Sequence, residues 1–281
     1  MSVLLRLTGL SVFLGNGYLA VGITLSVLAL VVAAAGSSFV HHSPYAQDLT
    51  KVLKAPARDH PFGTDELGRD VLSRVLYGGR LTLGAGVVVV VCAFLIGSTV
   101  GALSGYIGGG VDDIVMRFTD LILSFPSIVL AMAIAAGLGP SVAHAILSLT
   151  VVWWPVYARV TRGEVLRTRS LDYVEASRAL GARDGRILTR TVLPNIMVVP
   201  VSLIPLDLGR VLSNLAGLSF LGLGARPPAA EWGAMLNEAR IAPTEWWLSL
   251  FPGIALTFSI LGFNMLGVGL RRRNLSRLTL S

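Results

Sequence analysis

The chain has 281 residues, of which 53% are hydrophobic and 14% charged, with a net charge of +7 and a mean hydropathy of +0.71. Soluble domains carry about 25% charged residues, so this chain lacks the polar surface of a soluble enzyme, a disordered regulator or a disulfide-stapled secreted module. Cys92, its only cysteine, stands inside an apolar run, which excludes an internal disulfide and a cysteine-based metal site.

Six apolar runs follow one another, at about 17–40, 81–104, 121–138, 142–158, 195–224 and 248–270. A helix needs about 20 residues to cross the hydrocarbon core, so the expected fold class is an all-α integral membrane protein with six transmembrane helices. The first run is longer than the roughly 7–15 apolar residues of a signal peptide and is expected to remain as a span. The expected organisation is an N-terminal segment over 1–80, a five-helix core over 81–271 and a basic tail over 272–281. Lys and Arg concentrate at 158–191 and 271–277. They sit in short connections between apolar runs, where they fix topology rather than bind nucleic acid, and they place both termini in the cytoplasm.

The loop from His60 to Arg80 is the first polar feature. Thr64 is positioned to cap a helix with Asp65 and Glu66 in its first turn and Arg69, Arg74 and Arg80 after them, an order that suits the helix dipole. Leu67, Val71, Leu72, Val75 and Leu76 share one helical stripe, and Gly78-Gly79 are expected to end the helix. This gives either a helix lying on the membrane surface or an extracytoplasmic docking or gate segment built on Asp65, Gly68, Arg69, Asp70 and Arg74. His41-His42 follows the first span. Adjacent histidines point in different directions and no Cys or His cluster stands near them in sequence, so surface residues are expected there and no metal site.

The second feature is the cytoplasmic connection 159–195. Its pattern predicts a helix through Leu171 to Leu180, a break at Gly181 and a short stretch from Arg183 to Val192 before Pro194. The small residues Ala176, Ser177, Ala179, Gly181 and Ala182 would let another surface approach closely, which a merely solvated loop does not need. The third is Asp207 with Arg210 in the fifth run, one turn apart on one helix face. A charge at that depth costs on the order of 2.5–3.5 kcal/mol, so the two are expected to pair, either along a polar path, against a partner subunit, or within the bundle.

Glu175-Ala176-Ser177, three residues, Gly181, nine residues and then Thr191-Val192-Leu193-Pro194 resembles the EAA loop of ABC importer permeases. His60-Pro61-Phe62-Gly63-Thr64-Asp65 with Gly68-Arg69-Asp70-Val71-Leu72-Ser73-Arg74 is similar to the signature ahead of the second span in C-type subunits of dipeptide, oligopeptide and nickel permeases. Leu218-Ser219-Phe220-Leu221-Gly222-Leu223-Gly224, Pro227-Pro228, Trp232-Gly233, Phe251-Pro252-Gly253 and Phe263-Asn264 extend that likeness over roughly 17–271. Ser177 and Thr191 depart from the EAA pattern towards similar-sized residues. Leu215, Val268 and Arg272 stand where the family often has acidic residues.

The resemblance implies the type I importer permease (MetI-like) fold and a set of partners. These are a homologous B-type permease, two ABC ATPase domains (separate or fused), an extracytoplasmic substrate-binding protein and membrane lipid, in the bacterial inner membrane. Glu175, Ala176, Ser177, Gly181, Ala182, Leu193 and Pro194 would form the ATPase-coupling loop. The chain has no Gly-x-x-x-x-Gly-Lys-Ser/Thr loop, so no catalytic role and no cofactor are expected on it, and ATP and Mg would be bound by the partner ATPase. Dipeptides or short oligopeptides are the expected cargo, with nickel chelates or glutathione as alternatives within the class. A self-sufficient secondary carrier is the alternative outside it, although such carriers show internal repeats and ionisable relays, which are not evident here.

Overall fold

The computed structural model describes residues 2–40 and 42–278. Its helices are α1 (Ser2–Ala35), α2 (Val71–Ile107), α3 (Gly109–Leu123), α4 (Ser127–Leu138), α5 (Val142–Thr168), α6 (Asp172–Ala179), α7 (Asp184–Ile187), α8 (Leu193–Ile196), α9 (Val198–Phe220), α10 (Trp232–Glu238) and α11 (Trp246–Leu278). Strands are absent among the described residues apart from a single Thr64–Asp70 bridge. The all-α expectation holds.

Four stretches are by themselves long and apolar enough to cross a membrane: Gly17–Ala35, Val71–Ile107, Val198–Phe220 and Trp246–Arg272. They correspond to the first, second, fifth and sixth runs read from sequence. The third run is not one helix: α3 and α4 meet at a 90° bend. Pro126 is the cause, because it disfavours helical geometry at Phe125, and the chain turns there with Ser124 Oγ donating to the Leu121 carbonyl at 2.7 Å. The fourth run lies within α5, which continues through Arg159 and Arg162 to Thr168. An apolar run ends at the first charge, whereas backbone hydrogen bonding does not.

The chain divides into two compact units. One comprises Met1–Val88, Ile134–Ile146 and Pro205–Ser281. In it α1 packs along α11 through glycines, which let backbones approach as small residues do in membrane bundles. A Cβ at Gly22 would lie 2.3 Å from Leu266 N, one at Gly262 2.8 Å from Leu25 Cβ, and one at Gly269 2.8 Å from Leu19 Cα. Gly209 likewise brings α9 against Asn264 of the Phe263-Asn264 motif, with 2.8 Å between the added Cβ and Asn264 Oδ1. The other unit comprises Val89–Ala133 and Leu147–Ile204. There Gly97 and Gly101 of α2 face Trp154 and Ala158 of α5, each leaving 2.2 Å from an added Cβ to a backbone carbonyl. Arg162 of α5 clamps Asp112 in the first turn of α3 with three hydrogen bonds of 2.6–3.0 Å.

Candidate functional site

The protrusion at 159–195 is built on one buried anchor. In α6 only Val174 is buried. It joins Ala102 of α2, Val165 of α5, and Ile187, Leu188, Val192 and Ile196 in a small core, with Tyr106, Ala182, Leu193 and Met197 packed around it. Tyr106 Oη donates to Asp184 Oδ1 at 2.8 Å, and Arg169 Nη1 donates to the Gly105 carbonyl at 2.9 Å, so both ends of the protrusion are tied to the end of α2. Glu175, Ala176, Arg178, Ala179, Leu180 and Gly181 face outward, beside the exposed Leu171, Asp172 and Tyr173 at the start of α6. Leu180 is 88% exposed, a large apolar side chain left in the open at the tip.

Gly181 ends α6 with φ +81°, and nothing lies within 4 Å of where its Cβ would be. Glycine is needed for the backbone conformation and not for internal packing. The predicted sequence of helix, glycine break and short helix is present, with a π-turn over Leu188–Val192 leading into α8. Ser177, in place of the motif's alanine, returns its hydroxyl to the Tyr173 carbonyl at 2.8 Å, which leaves the outer face as small as alanine would. Leu193 and Pro194 stand at the base of the loop, at the start of α8.

The second assembly surrounds the N-terminus of α2 and corrects the surface-helix expectation. No helix starts at Thr64. The segment 61–70 is a folded loop, and α2 begins at Val71 and runs unbroken through Gly78-Gly79. Those glycines make room instead: a Cβ at Gly78 would lie 2.4 Å from the Ala230 carbonyl and one at Gly79 3.1 Å from the Trp232 ring. Asp70 is the capping residue, its Oδ2 accepting from the Ser73 N–H at 2.8 Å and the Ser73 hydroxyl at 2.6 Å. Thr64 spends its hydroxyl on Lys54 N and the Lys51 carbonyl.

Asp65, Gly68, Arg69, Asp70 and Arg74 are all buried. They do not form an outer surface; they hold the loop together. Asp65 accepts from the backbone N–H groups of Leu67 and Arg69, both at 2.9 Å. Its Oδ2 receives Arg69 Nε at 2.6 Å and Arg74 Nη1. Both arginines reach on to Glu238 of α10, at 3.0 and 2.9 Å. Gly68, with φ +71°, would put a Cβ 1.9 Å from the Asp48 carbonyl oxygen. Phe62 stacks on Phe251 with centroids 3.7 Å apart, and the Thr64 carbonyl receives Trp247 Nε1 at 3.1 Å. The motif thus joins α2, α10 and the start of α11. Burial raises the Glu66 carboxyl above the ordinary carboxylate range, with the Glu238 charge adding to the effect.

Beside it, Trp232 is locked to α2 by its Nε1 on the Val75 carbonyl at 2.9 Å and its N–H on Thr82 Oγ1 at 3.1 Å. Glu231 caps α10 by accepting from Gly233 N and Ala234 N, each at 2.9 Å. Burial pushes its carboxyl above the usual range against the opposing pull of those hydrogen bonds. Glu238 and Glu231 carried no local sequence signal. Glu238 lies 169 residues from Arg69, and only its partners sit in a recognisable motif.

Asp207 and Arg210 are paired at 3.4 Å, but unequally: the Asp207 side chain is 3% exposed and that of Arg210 64%. Arg210 projects from the face of α9 that this chain leaves uncovered, so the two do not form a fully buried pair.

Residues 97–279 match the binding-protein-dependent transport system inner membrane component family. The probable D,D-dipeptide transport system permease protein DdpC of Escherichia coli K12 is 43% identical, over 87% of this chain and 83% of that protein. The glutathione transport system permease protein GsiD of Pectobacterium atrosepticum is 40% identical over 90% and 85%. The dipeptide transport system permease protein DppC of Alkalihalophilus pseudofirmus is 38% identical over 87% and 81%. Among solved structures, an inward-facing MetNI methionine ABC transporter chain superposes with a TM-score of 0.57 at 21% identity, covering 73% of this chain and 95% of that one, a likeness of fold. The chain belongs to the binding-protein-dependent transport system inner membrane components, as a C-type ABC importer permease of the peptide and nickel group.

Proposed function

We propose that this permease forms, with a homologous B-type permease, the translocation path for dipeptides or short oligopeptides delivered by an extracytoplasmic substrate-binding protein. Two ABC ATPase domains would bind ATP and Mg on the cytoplasmic side, and this chain would contribute no catalysis. The observation that carries the reading is the exposed protrusion α6–Gly181–α7. Around the break its outward face is small at Ala176, Ala179 and Gly181, with Leu180, Glu175 and Arg178 between them and Tyr173 and Arg183 at its edges, and its inner residue Val174 would transmit force to α2 and α5. A groove on the ATPase would receive Ala176, Ser177, Gly181 and Ala182, with Leu180 as the apolar plug and Leu193-Pro194 as the hinge into α9. Closure of the ATPase dimer would then move a two-state bundle between inward-open and outward-open states.

Asp207 supports Arg210 on the open face of α9, where either the path or the partner permease would cover the guanidinium. The reading places the complex in the bacterial cytoplasmic membrane with both termini inside. The dipeptide names of two relatives favour peptide cargo, and GsiD favours glutathione as the second candidate. Affinity purification of the tagged chain in mild detergent tests the assembly: a second permease and an ATPase are expected to come with it. A partner-free homo-oligomer that still transports when reconstituted would instead establish a self-sufficient carrier. Uptake of a labelled dipeptide, with glutathione as competitor, then separates the two cargoes.

A further inference from the structure

The exit of α1 and the loop ahead of α2 bring together three groups that the transport reading leaves unused. His42, His60 and Asp70 place their ligand-type atoms within 4.8 Å of one another. They are far apart along the chain, with His60 standing 18 residues beyond His42; His41 lies outside the described residues. The fold closes that gap through the same turn that makes Asp70 the cap of α2.

The chemistry of the three groups is ordered. His60 Nδ1 faces Asp70 Oδ1 at 2.9 Å, and the other Asp70 oxygen is occupied by Ser73. A carboxylate on Nδ1 fixes the proton there and leaves Nε2 as a bare lone pair, which is how ligating histidines are oriented in metal sites. That Nε2 is buried and has no hydrogen-bond partner among the described residues, in a residue only 7% exposed. A buried acceptor left without a donor is rare in folded proteins. The ring laid against it is His42, exposed, with centroids 4.9 Å apart and planes tilted by 39°.

We propose that His42 and His60 bind a divalent transition-metal ion suited to imidazole, zinc or nickel, with Asp70 orienting the His60 ring from behind and water completing the coordination. Zinc–imidazole bonds are about 2.0–2.1 Å, so two nitrogens sharing an ion stand no more than roughly 4 Å apart. With the ring centroids 4.9 Å apart, rotation of the exposed His42 ring would bring one of its nitrogens to that distance from His60 Nε2, exchanging a ring contact for a metal bond. The bound ion would fasten the exit of α1 to the capped start of α2.

The test uses the purified transporter without a polyhistidine tag, stripped with chelator, in nanodiscs, and titrated calorimetrically with zinc chloride and then nickel chloride. One more equivalent of metal per copy of this chain is expected in the wild type than in His42→Ala. The His42 side chain is exposed, so this variant should assemble normally, as gel filtration will verify. Asp70→Asn keeps a capping oxygen for α2 and is expected to weaken binding about 10–100-fold, as loss of an orienting carboxylate does. Equal stoichiometry and affinity in wild type and His42→Ala, or no metal bound above empty nanodiscs, would overturn the site and leave His60 as a brace for the Asp70 cap.

Discussion

At the scale of single residues, the buried quartet Asp65, Arg69, Arg74 and Glu238 sets the largest energetic stake. Both arginine side chains are 1% exposed, so each depends on its carboxylates. Asp65→Ala leaves two guanidinium groups sharing Glu238 and is expected to destabilise the protein by about 3–5 kcal/mol, the range for breaking a buried ion pair from one side. Asp59, exposed in the same loop, should change stability by less than about 0.5 kcal/mol when replaced by alanine. Chemical denaturation of the detergent-solubilised complex checks both. Asp59 also serves as the neutral comparator for Glu175. Charge reversal at Glu175 should weaken ATPase association while reversal at Asp59 leaves it unchanged, read by co-purification.

Glu231 gives a pH signature at the same scale. It lies outside the spans, and burial raises its pKa in the folded protein above the ordinary value of about 4.3. The folded state then binds a proton that the unfolded state has already released. This contribution to stability is fully present below the unfolded pKa and is lost as pH rises through the folded one. The stability of the wild type relative to Glu231→Gln is thus expected to grow as pH is lowered through that window. A difference that is flat with pH would mean that folding leaves the Glu231 pKa unchanged.

At the scale of elements, Gly181 and the α1–α11 contact make opposite demands on glycine. Gly181 has empty space around it, so a side chain there clashes with nothing in this chain. Gly181→Trp carries a backbone cost of about 1–2 kcal/mol at this positive φ but should still insert and express, and should lose uptake while ATP hydrolysis continues, because the added ring occupies the face offered to the ATPase. Normal uptake by a well-expressed variant would remove the coupling role. Gly262→Leu instead drives a side chain into Leu25 and Ser26 and should destabilise the bundle by about 1–3 kcal/mol, the usual overpacking range, with faster proteolysis at the exit of α1. Sequence periodicity located the protrusion and its break because the signal is local: one buried valine, one left-handed glycine and a proline. It misplaced the start of α2, because Thr64 and Asp70 are both competent caps and the choice was made by distant Trp247, Phe251 and Glu238. It read Gly78-Gly79 as a stop because a glycine pair carries no mark that separates helix termination from room for a neighbouring tryptophan.

At the scale of the whole molecule, the number of crossings decides which groups meet on which side. Helix α4 has 12 residues, about 18 Å at 1.5 Å per residue, short of the roughly 30 Å hydrocarbon core. It therefore completes a crossing only together with part of α3. Helix α5 has 27 residues, about 40 Å, and is long enough alone. If both cross, the connection at Ser141 is outside and the α6–α7 protrusion inside. If neither crosses, both are inside. If only one crosses, the protrusion is outside, away from any cytoplasmic ATPase and against the concentration of arginine at 158–191. Cys92 is the only native thiol, so single cysteines on a Cys92→Ser background map this directly with a membrane-impermeant maleimide. In intact cells Asp59→Cys and Ser141→Cys are expected to label and Arg178→Cys to label only after permeabilisation. Labelling of Ser141→Cys only after permeabilisation would reduce the count to four and make the α3–α4 pair re-entrant. Labelling of Arg178→Cys from outside would separate the protrusion from the ATPase and end the coupling proposal.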